Sequence, residues 1–362
     1  MELKEPFLLD GISYNREQLS DICLLAGKEN GMPLWKRDVL AFIKQFMDPR
    51  TGEIKQYTSG TTGDPKPYAL SRESMVISAR KTLIYFELKR GDKALLSLPI
   101  RYIAGKLMVV RALVGGLDLL LVDPDGRPLR KLKQKVSLAA MVPLQVFETV
   151  EHGDELSLVS SLIIGGGELR HSLREQLSQM QKPVLYETFG MTETYTHFAL
   201  KRINGKHPQS AFHLLEGVSI TRDDRNCLVV SVSGITQGPL TTNDLVEIDD
   251  TGKSFRWLGR YDHVINTGGI KVIPERVEEQ IRNLIGVDCL LLPEPDERLG
   301  ERLVLLAETP ESDPPLEKWI SSLSKVLSTY EIPKRIVTVK EIPRNQSMKK
   351  DRASARLLIT NN

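Results

Sequence analysis

Leu107-Met108-Val109-Val110-Arg111-Ala112-Leu113-Val114-Gly115-Gly116-Leu117-Asp118-Leu119-Leu120-Leu121-Val122 is the longest apolar stretch of the chain. It carries Arg111 and Asp118. A bilayer span needs roughly 20 consecutive apolar residues with few charges, so this stretch is too short and too charged to be one. It reads instead as a packed helix followed by a buried strand. The same alternation continues outward. Short apolar runs at Lys93–Leu98, Asp118–Val122, Leu138–Val142, Leu162–Ile164 and Val184–Tyr186 are separated by amphipathic stretches such as Ile103–Val114 and Arg170–Gln181. Strands alternating with helices predict crossover units, and hence an α/β fold with a mostly parallel sheet covered by helices.

Beyond this region the pattern changes twice. Cys227–Val232, Leu245–Ile248 and Phe255–Leu258 alternate in the manner of half-buried strands and predict a small antiparallel sheet or barrel. After Arg260 a strand–helix mixture follows: a helix over Pro274–Ile285 with Pro at its start, strands at Val287–Leu292 and Arg302–Ala307, a helix over Pro315–Leu327 and a last strand at Arg335–Val339. About 100 residues of this kind have the size of a separate small α+β domain. Before residue 57 the chain reads as a short polar start and two helices, near 15–28 and 33–47.

The 362 residues, 41% of them hydrophobic, suffice for two or three domains. A formal net charge of +2 gives no reason to expect nucleic acid or membrane insertion. Met1 to Pro6 lacks a basic segment leading into an apolar core, so no secretory leader is expected. Cys23, Cys227 and Cys289 are far apart, which fits structural thiols in a reducing cytoplasm.

The strongest chemical signal is Tyr57-Thr58-Ser59-Gly60-Thr61-Thr62-Gly63-Asp64-Pro65-Lys66. Thr58, Ser59, Thr61 and Thr62 supply hydroxyls, Gly60 and Gly63 allow close backbone approach, and Lys66 supplies a cation. Together these make an anion cradle. It is not a Walker loop, whose spacing differs. On composition alone a polar surface turn fits equally well.

This decapeptide closely resembles the phosphate-binding loop of the adenylate-forming superfamily, which includes acyl-CoA synthetases, peptide-synthetase adenylation domains and luciferases. Further motifs of that family follow in order: Gly165-Gly166-Gly167-Glu168-Leu169, the stretch Tyr186 to Thr194, Thr242-Asn243-Asp244, Gly259-Arg260-Tyr261-Asp262, Thr267 to Glu278, Pro295 to Glu301, and Pro343 to Lys349. The resemblance covers residues 57–352. It implies a shortened N-terminal AMP-binding domain over 1–261 and a mobile C-terminal lid domain over 262–362, hinged at Asp262. It also implies an enzyme that attacks ATP with a carboxylic acid, releases pyrophosphate, and passes the acyl group to coenzyme A.

The resemblance assigns roles that suit the residue types. Gly166, Gly167 and Glu168 lie along the adenine and Phe189 stacks on it, where the family usually has Tyr. A lone Phe would otherwise be core packing. Gly190 begins the turn in which Thr192 donates to the α-phosphate and Glu193 ligates Mg²⁺, the expected metal ion. Asp244 and Arg260 take the ribose hydroxyls, although Arg260 alone reads as a surface ion pair. Gly268 and Gly269 line the pantetheine tunnel, or else form a plain β-turn. Lys349 is the lysine that neutralises charge in the transition state. Met348 precedes it where the family usually has Gly, and the basic run Lys349-Lys350-Asp351-Arg352 also reads as a solvated face.

The short N-terminal half resembles the compact o-succinylbenzoate–CoA ligases of menaquinone biosynthesis. So does Leu98-Pro99-Ile100-Arg101-Tyr102-Ile103-Ala104-Gly105-Lys106, with Tyr102 where that group has His, and so does His197 just past the catalytic turn. Their substrate has a second carboxylate that must be held by a basic group, for which Arg101, Lys106 and His197 are candidates. Two other readings share the ATP motifs: a small ligase for benzoate-like or fatty acids, and a nucleotide-binding homologue without catalysis. The expected partners are therefore a small carboxylic acid, ATP and coenzyme A, with a homo-oligomer left open.

Overall fold

A computed structural model describes residues 3–26, 31–57, 67–310, 314–345 and 349–360. The chain forms two compact units. One comprises Met1–Gly165, Ser178–Ser219 and Ser231–Pro239; the other comprises Gly166–Leu177, Ile220–Val230 and Leu240–Asn362. Among the described residues no helix is long and apolar enough to cross a membrane.

The first unit is built on the predicted parallel sheet. Phe7–Leu9, Asp118–Leu121, Lys93–Leu96, Val136–Met141, Val159–Ile164 and Val184–Gly190 lie side by side in that order, each parallel to its neighbour. Lys93–Leu96 lies between the two strands that follow it in sequence: a helical crossover, Ile103–Gly115, leads to the one on its first side, and a helix-free connection from there leads to the one on its other side. Past Val184–Gly190 the sheet turns antiparallel, adding His197–Arg202 and then Phe212–Leu214.

The long apolar stretch folds as a helix, Ile103–Gly115, and a strand, Asp118–Leu121. Gly116 ends the helix in the left-handed region, at φ +68°, where its N–H donates to the Ala112 carbonyl. The helix is buried from Gly105 to Gly115, which is why it has no polar face. The two charges of the apolar stretch have separate fates. Asp118 accepts the Gly11 N–H at 2.9 Å, while Arg111 is fully enclosed.

The start of the chain departs from the sequence expectation. Within the expected short polar start, Phe7–Leu9 pairs with Ile12–Tyr14 through an Asp10-Gly11 turn, and with Asp118–Leu121. Phe7 and Leu9 are buried in the main core. Three apolar residues are too few for a periodic signal, and only the neighbouring strand creates their site. The helices expected near 15–28 and 33–47 run over Arg16–Ala26 and Leu34–Met47. A hairpin, Glu53–Tyr57 with Pro67–Ser71, brackets residues 58–66. The helix Arg72–Tyr85 follows, capped by the Ser71 hydroxyl.

Cys227–Val232, Leu240–Ile248 and Ser254–Arg260 pair antiparallel. The helix Pro274–Ile285 and the strand Arg335–Val339 have the expected bounds. Cys289–Asp296, Gly300–Glu308 and Arg335–Val339 form a sheet buried on both faces. Cys289 and Leu291 join one apolar cluster with Val277, Ile281 and Leu323; Leu290 and Leu292 join another with Ala355 and Ile359. This two-sided burial is the period-two alternation of a strand between helices.

Candidate active site

Residues 58–66, and with them Thr58, Ser59, Gly60, Thr61, Thr62, Gly63 and Lys66, lie outside the described residues. Their flanks are placed by the hairpin Glu53–Tyr57 and Pro67–Ser71.

In the first unit the Met191–Thr196 loop joins Val184–Gly190 to His197–Arg202. Thr192–Thr194 forms one turn of 3₁₀ helix. The Thr194 hydroxyl closes the loop, 2.8 Å from the Thr196 carbonyl, and accepts the Met191 N–H at 3.1 Å. Gly190 is required here: a Cβ would stand 2.3 Å from the Thr196 carbonyl oxygen. The loop leaves Thr192 and Glu193 half-exposed. No Lys, Arg or His among the described residues pairs with Glu193, which suits a carboxylate kept for a cation. Phe189 packs edge-on against Phe198 and Phe212, with ring centroids 5.7 and 5.2 Å away.

The acyl-side candidates are spread out. Arg101 is exposed, its guanidinium 4.9 Å over the Tyr102 ring. Lys106 is buried and donates to Gln56 Oε1 at 2.6 Å; Gln56 in turn donates to the Arg101 and Tyr57 carbonyls, both at 3.0 Å. Burial lowers the Lys106 pKa. Its bonds tie the helix to the strand before residues 58–66, a structural task that needs no acid.

His197 leads to a group that the sequence reading passed over. Its Nε2 is 3.3 Å from the Thr82 hydroxyl and its Nδ1 3.3 Å from the Thr196 hydroxyl. The Arg111 guanidinium reaches the same Thr196 hydroxyl at 3.4 Å and the Met108 sulfur at 3.2 Å. Arg111 is 1% exposed, its Nε has no hydrogen-bond partner, and no carboxylate of the described residues lies within ion-pair distance. Burial pushes its pKa down to about 9. Burial, and then the Arg111 charge, hold His197 well below the ordinary histidine range, so the ring is neutral at pH 7. The signal was present in the sequence as a charge inside an apolar helix, but it looked there only like a reason against a membrane span.

The second unit gathers the remaining residues. Asp244 accepts the Trp257 indole N–H at 3.0 Å. Burial raises its pKa, opposed by Trp257, Arg260 and Lys349. Arg260 grips Asp262 with two bonds, at 2.9 and 3.1 Å. Arg225, stacked over Tyr261, donates to Asn243 Oδ1 at 3.1 Å. Gly268 and Gly269 have φ of +60° and +83° and make the turn between Ile265–Thr267 and Ile270–Val272; that turn alone requires glycine-like residues. Gly166, with φ +82°, also needs a left-handed backbone.

The two adjacent lysines part company. Lys349 is exposed; its N–H donates to Asn345 Oδ1 and its carbonyl accepts the Asn345 N–H. The Lys350 side chain is 5% exposed and is held by Asp288 at 3.0 Å, the Cys289 carbonyl at 3.2 Å and Glu168 at 3.6 Å. Lys350 is therefore a structural cation. Met348 lies outside the described residues.

The family model for AMP-binding enzymes matches residues 32–220, more than half of the chain. The chain belongs to the AMP-binding enzyme family. It is similar to the 2-succinylbenzoate–CoA ligase of Listeria monocytogenes, 28% identical over 83% of this chain and 68% of that one. Its fold resembles a crystal structure of an AMP-forming acyl-CoA synthetase/AMP-acid ligase II-like protein from Dyadobacter fermentans, with 31% identity and TM-score 0.62 over 92% of this chain and 97% of that one. It also resembles Escherichia coli MenE with a bound analogue of OSB-AMS, at 21% identity and TM-score 0.68 over 85% and 69%. This AMP-binding enzyme is an AMP-forming acid–CoA ligase, with ATP and coenzyme A as its co-substrates.

Proposed function

We propose that the acid activated is 2-succinylbenzoate, converted through its acyl-adenylate to the coenzyme A thioester. The observation that carries this choice is Arg111, a buried guanidinium with no carboxylate partner among the described residues. An unpaired buried charge is costly, and a substrate carboxylate would offset that cost through charge-assisted bonds. Neutral His197 and the Thr82 and Thr196 hydroxyls stand beside it as further polar groups. A monocarboxylic acid, its carboxylate spent in the reaction, would leave that buried charge unpaired. The 2-succinylbenzoate ligases among the relatives support the same reading.

Within this reading Thr192 binds the α-phosphate, Asp244 the ribose, and Lys349 the developing negative charge, while Phe189 faces the adenine. Glu193 fits Mg²⁺: Mg²⁺ keeps most of its water and takes one or two carboxylates beside substrate phosphates, and Glu193 is half-exposed with no ion-pair partner among the described residues. Bound there, Mg²⁺ would neutralise phosphate charge. The lid boundary at 261/262, the hinge at Asp262 and the pantetheine path past Gly268 and Gly269 belong to the same proposal.

The deciding experiment is pyrophosphate release and thioester formation with a panel of acids: 2-succinylbenzoate, benzoate, and short and long fatty acids. The proposal requires 2-succinylbenzoate to lead in kcat/KM by tenfold or more. A lead for benzoate or a fatty acid would assign a different ligase, and no turnover with any acid would leave a nucleotide-binding protein.

A further inference from the structure

Among the described residues four non-glycine residues have positive φ: Asp10, Glu87, Tyr195 and Asn226. Asp and Asn tolerate the left-handed region, but a bulky aromatic residue there is an outlier, and such strain persists only where the surroundings fix it. Tyr195, at φ +64°, ends the 3₁₀ turn that carries Thr192 and Glu193, and its N–H donates to the Thr192 carbonyl at 2.9 Å. Its side chain is buried, and its phenol oxygen accepts the Ser71 N–H at 2.8 Å. Ser71 is the last residue of the strand that emerges from residues 58–66, and its hydroxyl caps the next helix by accepting the Ser74 N–H at 3.4 Å. One side chain thus bonds the turn of the expected metal ligand to the strand leaving the hydroxyl-rich loop. A second observation agrees. Tyr68, on the same strand, has its pKa raised by burial and then by Tyr195 and Glu193, so these three groups share one electrostatic neighbourhood.

We propose that Tyr195 is a positioning residue for Mg·ATP: its bond to Ser71 sets the Thr192–Glu193 turn against the strand Pro67–Ser71. The inference rests on the reading of the Thr192–Glu193 turn as part of the ATP site. The strained backbone is the means: at φ +64° the Tyr195 side chain leaves the turn toward Ser71. The phenol satisfies the Ser71 backbone N–H and fixes a register in one contact.

Tyr195→Phe keeps the ring and removes the acceptor, and Tyr195→Asn keeps a residue tolerant of positive φ but too short to reach Ser71. Both are measured against wild type in three assays. These are equilibrium binding of Mg·ATP without acid, pyrophosphate release with 2-succinylbenzoate, and thioester formation from supplied acyl-adenylate. The expected result is Mg·ATP binding weakened by about five- to tenfold in both variants, the scale of one hydrogen bond. The KM for ATP should rise in parallel, with the KM for the acid and the rate of thioester formation unchanged. Unchanged Mg·ATP binding in Tyr195→Phe overturns the proposal, as does an equal fall in both half-reactions, which is the mark of a merely structural side chain. Wild type that binds Mg·ATP but turns over no acid refutes the activity reading alone, because the binding assay still tests Tyr195.

Discussion

Replacing Lys350 by Met should cost stability and spare adenylation, whereas replacing its neighbour Lys349 by Ala should do the opposite. The Lys350 side chain is 5% exposed and meets the Asp288 side chain, itself 9% exposed, at 3.0 Å. Removing one partner of a buried ion pair costs about 3–5 kcal/mol, because the other charge is stranded. Here Arg344 remains 3.3 Å from Asp288, which brings the expected loss down to about 2–3 kcal/mol. A loss of that size corresponds to a melting-temperature drop of about 4–12 °C for a domain of this scale. Met fills the space of the lysine stem, so little of the change comes from lost packing. The pH dependence adds a check. Burial raises the Asp288 pKa, but Lys350, Arg282 and Arg344 outweigh it and hold the carboxyl below its ordinary value. The folded pKa is thus depressed, so its stabilising contribution is present above the unfolded pKa and is lost as pH falls through the folded one. The deficit of Lys350→Met should accordingly shrink as pH falls below about 4. The assay is thermal unfolding from pH 3 to 8 beside pyrophosphate release at 20 °C. Lys349→Ala, an exposed change, should melt like wild type yet lose pyrophosphate release by a hundredfold or more. A Lys350→Met protein that melts like wild type, or one that loses adenylation while Lys349→Ala keeps it, would refute the division of labour between the two lysines.

Arg111→Met should raise the KM for 2-succinylbenzoate by about tenfold or more while leaving that for ATP unchanged, and should not lower the melting temperature of the free protein, since it removes an uncompensated buried charge; an unchanged KM for the acid would remove Arg111 from the acid site. Arg101→Ala, at an exposed residue, should shift the same KM less, and the reverse order would favour Arg101 as the carboxylate reader. Glu193→Gln should cripple pyrophosphate release most at limiting Mg²⁺, because an amide is a poorer and uncharged ligand; parity with wild type under those conditions would end its role as a metal ligand. Asp262→Pro fixes φ near −65° and should form adenylate but transfer it slowly to coenzyme A. Equal slowing of the two half-reactions would argue against a hinge at that residue.

The parts legible in the sequence are those encoded over a few neighbouring residues. Pro at the start of Pro274–Ile285 and Gly286 after its end bound that helix from sequence alone. The runs that became Asp118–Leu121 and Arg335–Val339 are short, apolar and punctuated. Gly190, beside the Thr192–Glu193 turn, is demanded by the backbone that must pass it. The family resemblance rested on such local signatures, which is why it could be read in order along the chain. The edge strands Phe7–Leu9 and Ile12–Tyr14 escaped because three residues hold no period.

What only the tertiary structure decided is the fate of individual charges and hydroxyls. Arg111 and His197 stand 86 positions apart and meet at Thr196. Lys350 finds Asp288, and Tyr195 finds Ser71, over comparable separations. Lys349 and Lys350 are the same residue type side by side, yet one is exposed and the other enclosed. Sequence period and propensity specify which face of an element is apolar. They carry no record of which distant group will be packed against a polar atom, and in a buried setting that partner determines whether a charge is satisfied, displaced in pKa, or left free for a substrate.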